Sequence, residues 1–110
     1  MADYACIIQE GQAPAKKTVE LADGLKQIGR ELLGDSPGGA EITWITVQKD
    51  FGFTAGQPST STLVARSVPP GFPDDRREAF MTRVCDLWID VTGCTRNEIV
   101  VTAMDGPLPL

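Results

Sequence analysis

The sequence contains no histidine, which excludes Ser-His and Cys-His nucleophile pairs, imidazole metal ligands and an imidazole pH sensor together. Any acid or base must be a carboxylate, a cysteine, a lysine, the single tyrosine Tyr4 or the chain terminus. Cysteine is scarce as well. Cys6, Cys85 and Cys94 are far apart, show no CxxC spacing and leave one over if two pair, a usage that points to a reducing compartment. No apolar run approaches the roughly 20 residues of a membrane helix. The start, Met1-Ala2-Asp3-Tyr4, lacks the basic opening of a signal peptide. Positive charge is not in excess either: the net charge of -5 removes the electrostatic term behind nonspecific nucleic-acid affinity and disfavours anionic membranes. These absences predict a cytoplasmic protein without nucleic-acid or membrane partners. No ligand cluster suggests a metal. Thr54–Pro58 holds a glycine without the strand-to-helix setting of a phosphate loop, so no cofactor is expected.

What is present fits one soluble domain spanning 1–110: 110 residues, 42% hydrophobic and 23% charged. A domain of this size buries only about 60 to 70% of the surface its unfolded chain exposes, and self-association would reinforce its thin core.

The apolar run Tyr4-Ala5-Cys6-Ile7-Ile8 reads as a buried strand. Beyond Pro14, Leu21, Ala22, Leu25, Ile28 and Leu32 recur at helical spacing, and Gly34 with Asp35-Ser36-Pro37-Gly38-Gly39 stops the helix. Ile42 to Val47 is a second strand, and Phe51 to Pro58 reads as a loop. The order then repeats. Thr60 to Ser67 is strand-like, Asp74-Asp75 open a helix striped by Phe80, Val84, Leu87, Trp88 and Val91, Gly93 stops it, and Glu98 to Ala103 is a strand. Similar spacing in the halves 1–56 and 57–110 implies a duplicated β-α-β unit: an α+β fold with a four-stranded sheet and two helices on one face. The bare sheet face predicts a symmetric oligomer, three sheets packing face to face. The same element order also suits a ferredoxin-like small-molecule monooxygenase or ligand-binding domain, in which a strand from the other half separates each half's own pair.

The double β-α-β pattern, and above all the segment Arg83 to Val101 with its Thr92-Gly93 stop, Thr95-Arg96-Asn97-Glu98 turn and Ile99-Val100-Val101, resembles the tautomerase superfamily. The nearest resemblance is to its cis-3-chloroacrylic acid dehalogenase-like and 4-oxalocrotonate tautomerase-like members. It implies a homotrimer with a pocket beside the N-terminus, and proton-transfer chemistry on small 2-oxo acids, enols or haloacrylates. The family's base is an N-terminal proline exposed by removal of the initiator Met. Here Ala2 stands in its place, which makes this an atypical member. The dehalogenase-like histidine late in the first helix corresponds to Gly29, its two arginines after the third strand to Pro69 and Phe72, and its late tyrosine to Thr102.

Five residues are candidates for a site. The α-amine of Ala2, if Met1 is removed, has an intrinsic pKa of about 7.7 to 8.0, which an apolar pocket and nearby cations would lower into the range of a usable base. Arg66, near the end of its strand, could grip a substrate carboxylate with two hydrogen bonds; the alternative is an ion pair. Arg30 follows the last apolar turn of the first helix and could touch ligand or complement the negative helix end. Tyr4 could donate a hydrogen bond, and Phe72 could wall the pocket or fill core. Arg76 and Arg77 read as solvated partners of nearby acids, and the cysteines as small buried apolar groups. The expected function is binding of a small anionic 2-oxo or enol carboxylate, with keto-enol isomerase activity from a non-proline base. The alternative is a non-catalytic scaffold or ligand-binding subunit on the same fold.

Overall fold

The computed structural model describes residues 3–109. Strand β1 (Tyr4–Gln9) leads to helix α1 (Ala15–Ile28), a π-helical turn (Gly29–Leu33) and strand β2 (Ile42–Val47). A hairpin of β3 (Phe53–Thr54) and β4 (Gln57–Pro58) precedes strand β5 (Thr62–Val68), helix α2 (Asp74–Thr92), a short 3-10 turn (Arg96–Glu98) and strand β6 (Ile99–Asp105).

The main sheet has the order β2-β1-β5-β6. Strands β1 and β2 are parallel, β5 and β6 are parallel, and the central pair β1 and β5 is antiparallel. Each half therefore pairs its own strands. This order overturns the ferredoxin-like alternative, which needs a strand of the other half between them.

Alternation decides the two faces of the sheet. In β5, Thr62, Val64, Arg66 and Val68 are buried while Leu63, Ala65 and Ser67 are half-buried. Tyr4, Cys6 and Val64 meet Leu21, Leu25 and Ile28 of α1 and Phe80, Val84 and Trp88 of α2 in one apolar core. The opposite face carries Ala5, Ile7, Leu63, Ala65, Ile45 and Val100, and by register also Thr43, Val47, Gln9, Ser67, Thr102 and Met104. None of these side chains is charged.

Three boundaries differ from the sequence reading. Helix α1 stops at Ile28 and continues as a π turn, because Gly34 takes a left-handed φ of 72° and its backbone N–H closes on the Gly29 carbonyl. The segment Phe51–Pro58 is not wholly loop: Ala55 and Gly56, both at positive φ, turn a short hairpin of the kind that primed turns make. Strand β6 runs on to Asp105, where the Gly106 N–H bonds to the Val68 carbonyl. No helix among the described residues is long and apolar enough to cross a membrane.

Candidate functional site

The N-terminal end of β1 is held from both sides. The backbone N–H groups of Asp3 and Tyr4 both donate to the Glu41 carbonyl at 3.0 Å, the Asp3 carboxylate accepts from the Glu41 N–H at 3.0 Å, and the Ser67 N–H donates to the Asp3 carbonyl at 3.0 Å. Ala2 lies outside the described residues, so its amine has no geometry here.

Arg66 sits directly across the β1/β5 ladder from Tyr4. Its guanidinium lies 4.7 Å from the centre of the Tyr4 ring, a cation-π contact. Its Nε donates to the Ser67 carbonyl at 2.8 Å, and its Nη1 and Nη2 donate to Oδ2 and Oδ1 of Asp35 at 2.8 and 2.7 Å. That is a bidentate clamp on a carboxylate, with side-chain exposures of only 8% for Arg66 and 12% for Asp35. Among the described residues Arg66 is the only charged residue that is buried. Burial alone would lower its pKa, but the Asp35 hydrogen bond and the neighbouring charges more than offset this and raise it.

Tyr4 is fully buried, stacks against Phe80 and donates its hydroxyl to the Leu25 carbonyl at 2.9 Å. Burial pushes the phenol up to about 12, against the opposing charge of Arg66. Gly29 completes the cluster by having no side chain: a Cβ there would overlap the Asp35 carboxylate and approach the Tyr4 hydroxyl at 3.1 Å. The position that carries histidine in the dehalogenase-like pattern is thus filled from above by Asp35.

The structure brings Tyr4 and Arg66 together, and Arg30 and Phe72 have other surroundings. Arg30 is exposed on the π turn, where its charge helps lower the pKa of Glu31 after the larger effects of Arg83 and Gln27. Phe72 is half-buried under the guanidinium of Arg76, 5.2 Å from its ring centre. Arg76 and Arg77, expected to be solvated, are also structural ties: Arg76 donates to the Leu32 carbonyl at 2.6 Å, and Arg77 to the Ala103 carbonyl at 2.6 Å and the Asp105 carboxylate at 2.7 Å.

Asp35 is the residue that the sequence did not disclose. It lies in a stretch whose glycines and proline mark only a helix stop, and its partner is 31 residues away. The described cavities lie elsewhere. One of about 270 Å³ opens between α1 and α2 beside Arg83 and Leu87; another of about 310 Å³ lies among Gln12, Thr60, Trp88 and Glu98. No group of three His, Cys, Asp or Glu side chains among the described residues could hold a metal ion.

No family model matches the chain, and no curated protein matches it. Solved structures do. Native Ps01740 is similar with 25% identity and a TM-score of 0.89, over 94% of this chain and 93% of that one. N1, a member of the cis-3-chloroacrylic acid dehalogenase family, is 14% identical with a TM-score of 0.87, over 94% and 74% of the two chains. A fused 4-OT symmetric trimer is 16% identical with a TM-score of 0.83, over 94% and 85%. The fold is that of the tautomerase superfamily, as the resemblance in sequence implied.

Proposed function

We propose that the chain forms a homotrimer through its uncharged sheet face and binds a small 2-oxo or enol carboxylate at the N-terminal end of β1. The observation that supports this best is the Arg66 fork, which already holds a carboxylate in two charge-assisted hydrogen bonds in the strand opposite Tyr4. The names of the similar structures, a trimer and a cis-3-chloroacrylic acid dehalogenase family member, support a trimer and a small carboxylate ligand.

In this reading the α-amine of Ala2, exposed when Met1 is removed, moves the proton. Ketonisation breaks an enol O–H bond and forms a C–H bond at the adjacent carbon. The neutral amine accepts the first proton, and its ammonium form delivers one to carbon. Arg66 supplies the cation for the carboxylate and Tyr4 shapes the floor; Arg30, exposed on the π turn, and Phe72, under Arg76, take no part. A second reading, a non-catalytic subunit on the same scaffold, is favoured by one specific observation: Arg66 is engaged by Asp35 rather than open.

The test is an ultraviolet assay of phenylenolpyruvate ketonisation on Met-trimmed and Met-retaining protein, each verified by intact mass. Faster turnover by the trimmed form alone is expected. Equal turnover by both forms would remove the amine from the mechanism, and none by either would favour the non-catalytic reading.

A further inference from the structure

We propose that Asp35 is a tethered stand-in for a ligand carboxylate, and that a free small monocarboxylate binds Arg66 by taking its place. The proposal rests on reading the Arg66 end of the sheet as a carboxylate site, but it concerns binding and not turnover.

The two halves of the ion pair are held very differently. Arg66 belongs to a central strand, with its Nε fixed on the Ser67 carbonyl and its guanidinium laid over the Tyr4 ring. It stays in place without Asp35. Asp35 belongs to the connection between the π turn and β2, where Ser36, Pro37 and Gly38 are exposed and Gly34 and Gly39 both take positive φ. The far end of that connection is anchored, with Ala40 buried in the core and Glu41 bonded to Asp3 and Tyr4, but the backbone bonds beside Asp35 are local: its N–H on the Gly29 carbonyl at 3.2 Å and the Gly39 N–H on the Ser36 carbonyl at 2.8 Å. The Asp35 side chain can therefore leave by a rearrangement of this connection that leaves the sheet ladders intact.

What it would leave behind has the dimensions of a carboxylate. Gly29 contributes no atom to the space above it, Arg66 presents two N–H groups in one plane, and the Tyr4 ring closes one side. The recess fits one planar anion and offers one cationic fork, which selects a monocarboxylate such as pyruvate. In the intact chain the ligand competes with an anion tethered at an effective concentration of about millimolar or above, so binding is suppressed until Asp35 moves.

Thermal unfolding and calorimetric titration with sodium pyruvate, against sodium chloride at equal ionic strength, test this on the full chain. The proteins are the wild type, Asp35→Ala, and Asp35→Ala combined with Arg66→Met. Asp35→Ala is expected to melt lower than wild type, and pyruvate to restore its melting temperature at a concentration at least about 10-fold below any effect on wild type. The double variant is expected not to respond. No response of Asp35→Ala, or an equal response after Arg66→Met, would overturn the proposal. Should Asp35→Ala fail to fold, Asp35→Ser, which also vacates the carboxylate space while keeping a polar side chain, carries the same comparison. Pyruvate binding without phenylenolpyruvate turnover would sink the enzymatic reading alone, and turnover without Arg66-dependent pyruvate binding would sink this proposal alone.

Discussion

At residue scale, Gly29 is decided by the ion pair and not by the helix it ends. Alanine in a helix interior is favoured over glycine by about 1 kcal/mol, so local propensity alone predicts that Gly29→Ala stabilises. A Cβ there meets the Asp35 carboxylate, which Arg66 pins from the other side. Breaking a buried charge pair costs about 3–5 kcal/mol, which outweighs the propensity gain. The expected result is net destabilisation by about 2–4 kcal/mol, read as a lower urea midpoint with an unchanged slope. A midpoint at or above wild type would show that Asp35 swings away at little cost. Tyr4 offers an independent check, since it is the only tyrosine and phenolate absorbance reports it alone. Its phenol is raised from 10.0 to about 12, chiefly by burial. A raised folded value means that its contribution to stability is fully present below pH 10 and is lost as pH rises toward 12. Phenolate absorbance is therefore expected to stay absent through pH 10 and then appear together with unfolding. A simple titration centred near 10, with the fold intact, would contradict the burial.

At the scale of elements, the sequence was legible wherever periodicity and burial agree. The alternation of β5, the apolar stripe of α2 and the glycine stop at Gly93, with a φ of 74°, all announce themselves locally. The π turn does not, because Leu32 continues the helical spacing of α1 while the backbone beneath it has changed its hydrogen bonding. The hairpin was hidden for a related reason. Ala55 holds a positive φ of 50° that alanine rarely adopts, and Pro58 ends the second strand where proline ordinarily argues against pairing. The candidate site divides in the same way. Arg66 stood out as a lone cation in an apolar strand, but its role depended on Asp35, whose approach requires the π turn, the left-handed Gly34 and the missing side chain of Gly29 at once. Each of those is a tertiary consequence, and none leaves a mark at a fixed spacing in the chain.

At the scale of the whole molecule, the open sheet face asks for cover. Register places Thr43, Ala5, Ala65 and Thr102 in one row across the sheet and Ile45, Ile7, Leu63 and Val100 in the next. The first row is small enough for close approach, and the second is wholly apolar. Ile45 and Val100 retain 36% and 49% of their surface in the single subunit, and burying such surface is the main favourable term in association. A closed threefold arrangement covers this face on every copy at once and leaves no exposed remainder to propagate. Light scattering behind size exclusion is therefore expected to give a mass three times the 11.8 kDa of one chain, with a melting temperature that rises with protein concentration. Leu63→Glu would put a carboxylate into this apolar row on every copy, where unpaired buried charge is not tolerated. That variant is expected to run as a monomer with a lower melting temperature, whereas glutamate at exposed Val19 of α1 (61% exposed) should leave the trimer intact. A wild-type monomer, or a Leu63→Glu protein that stays trimeric, would show that the assembly does not use this face.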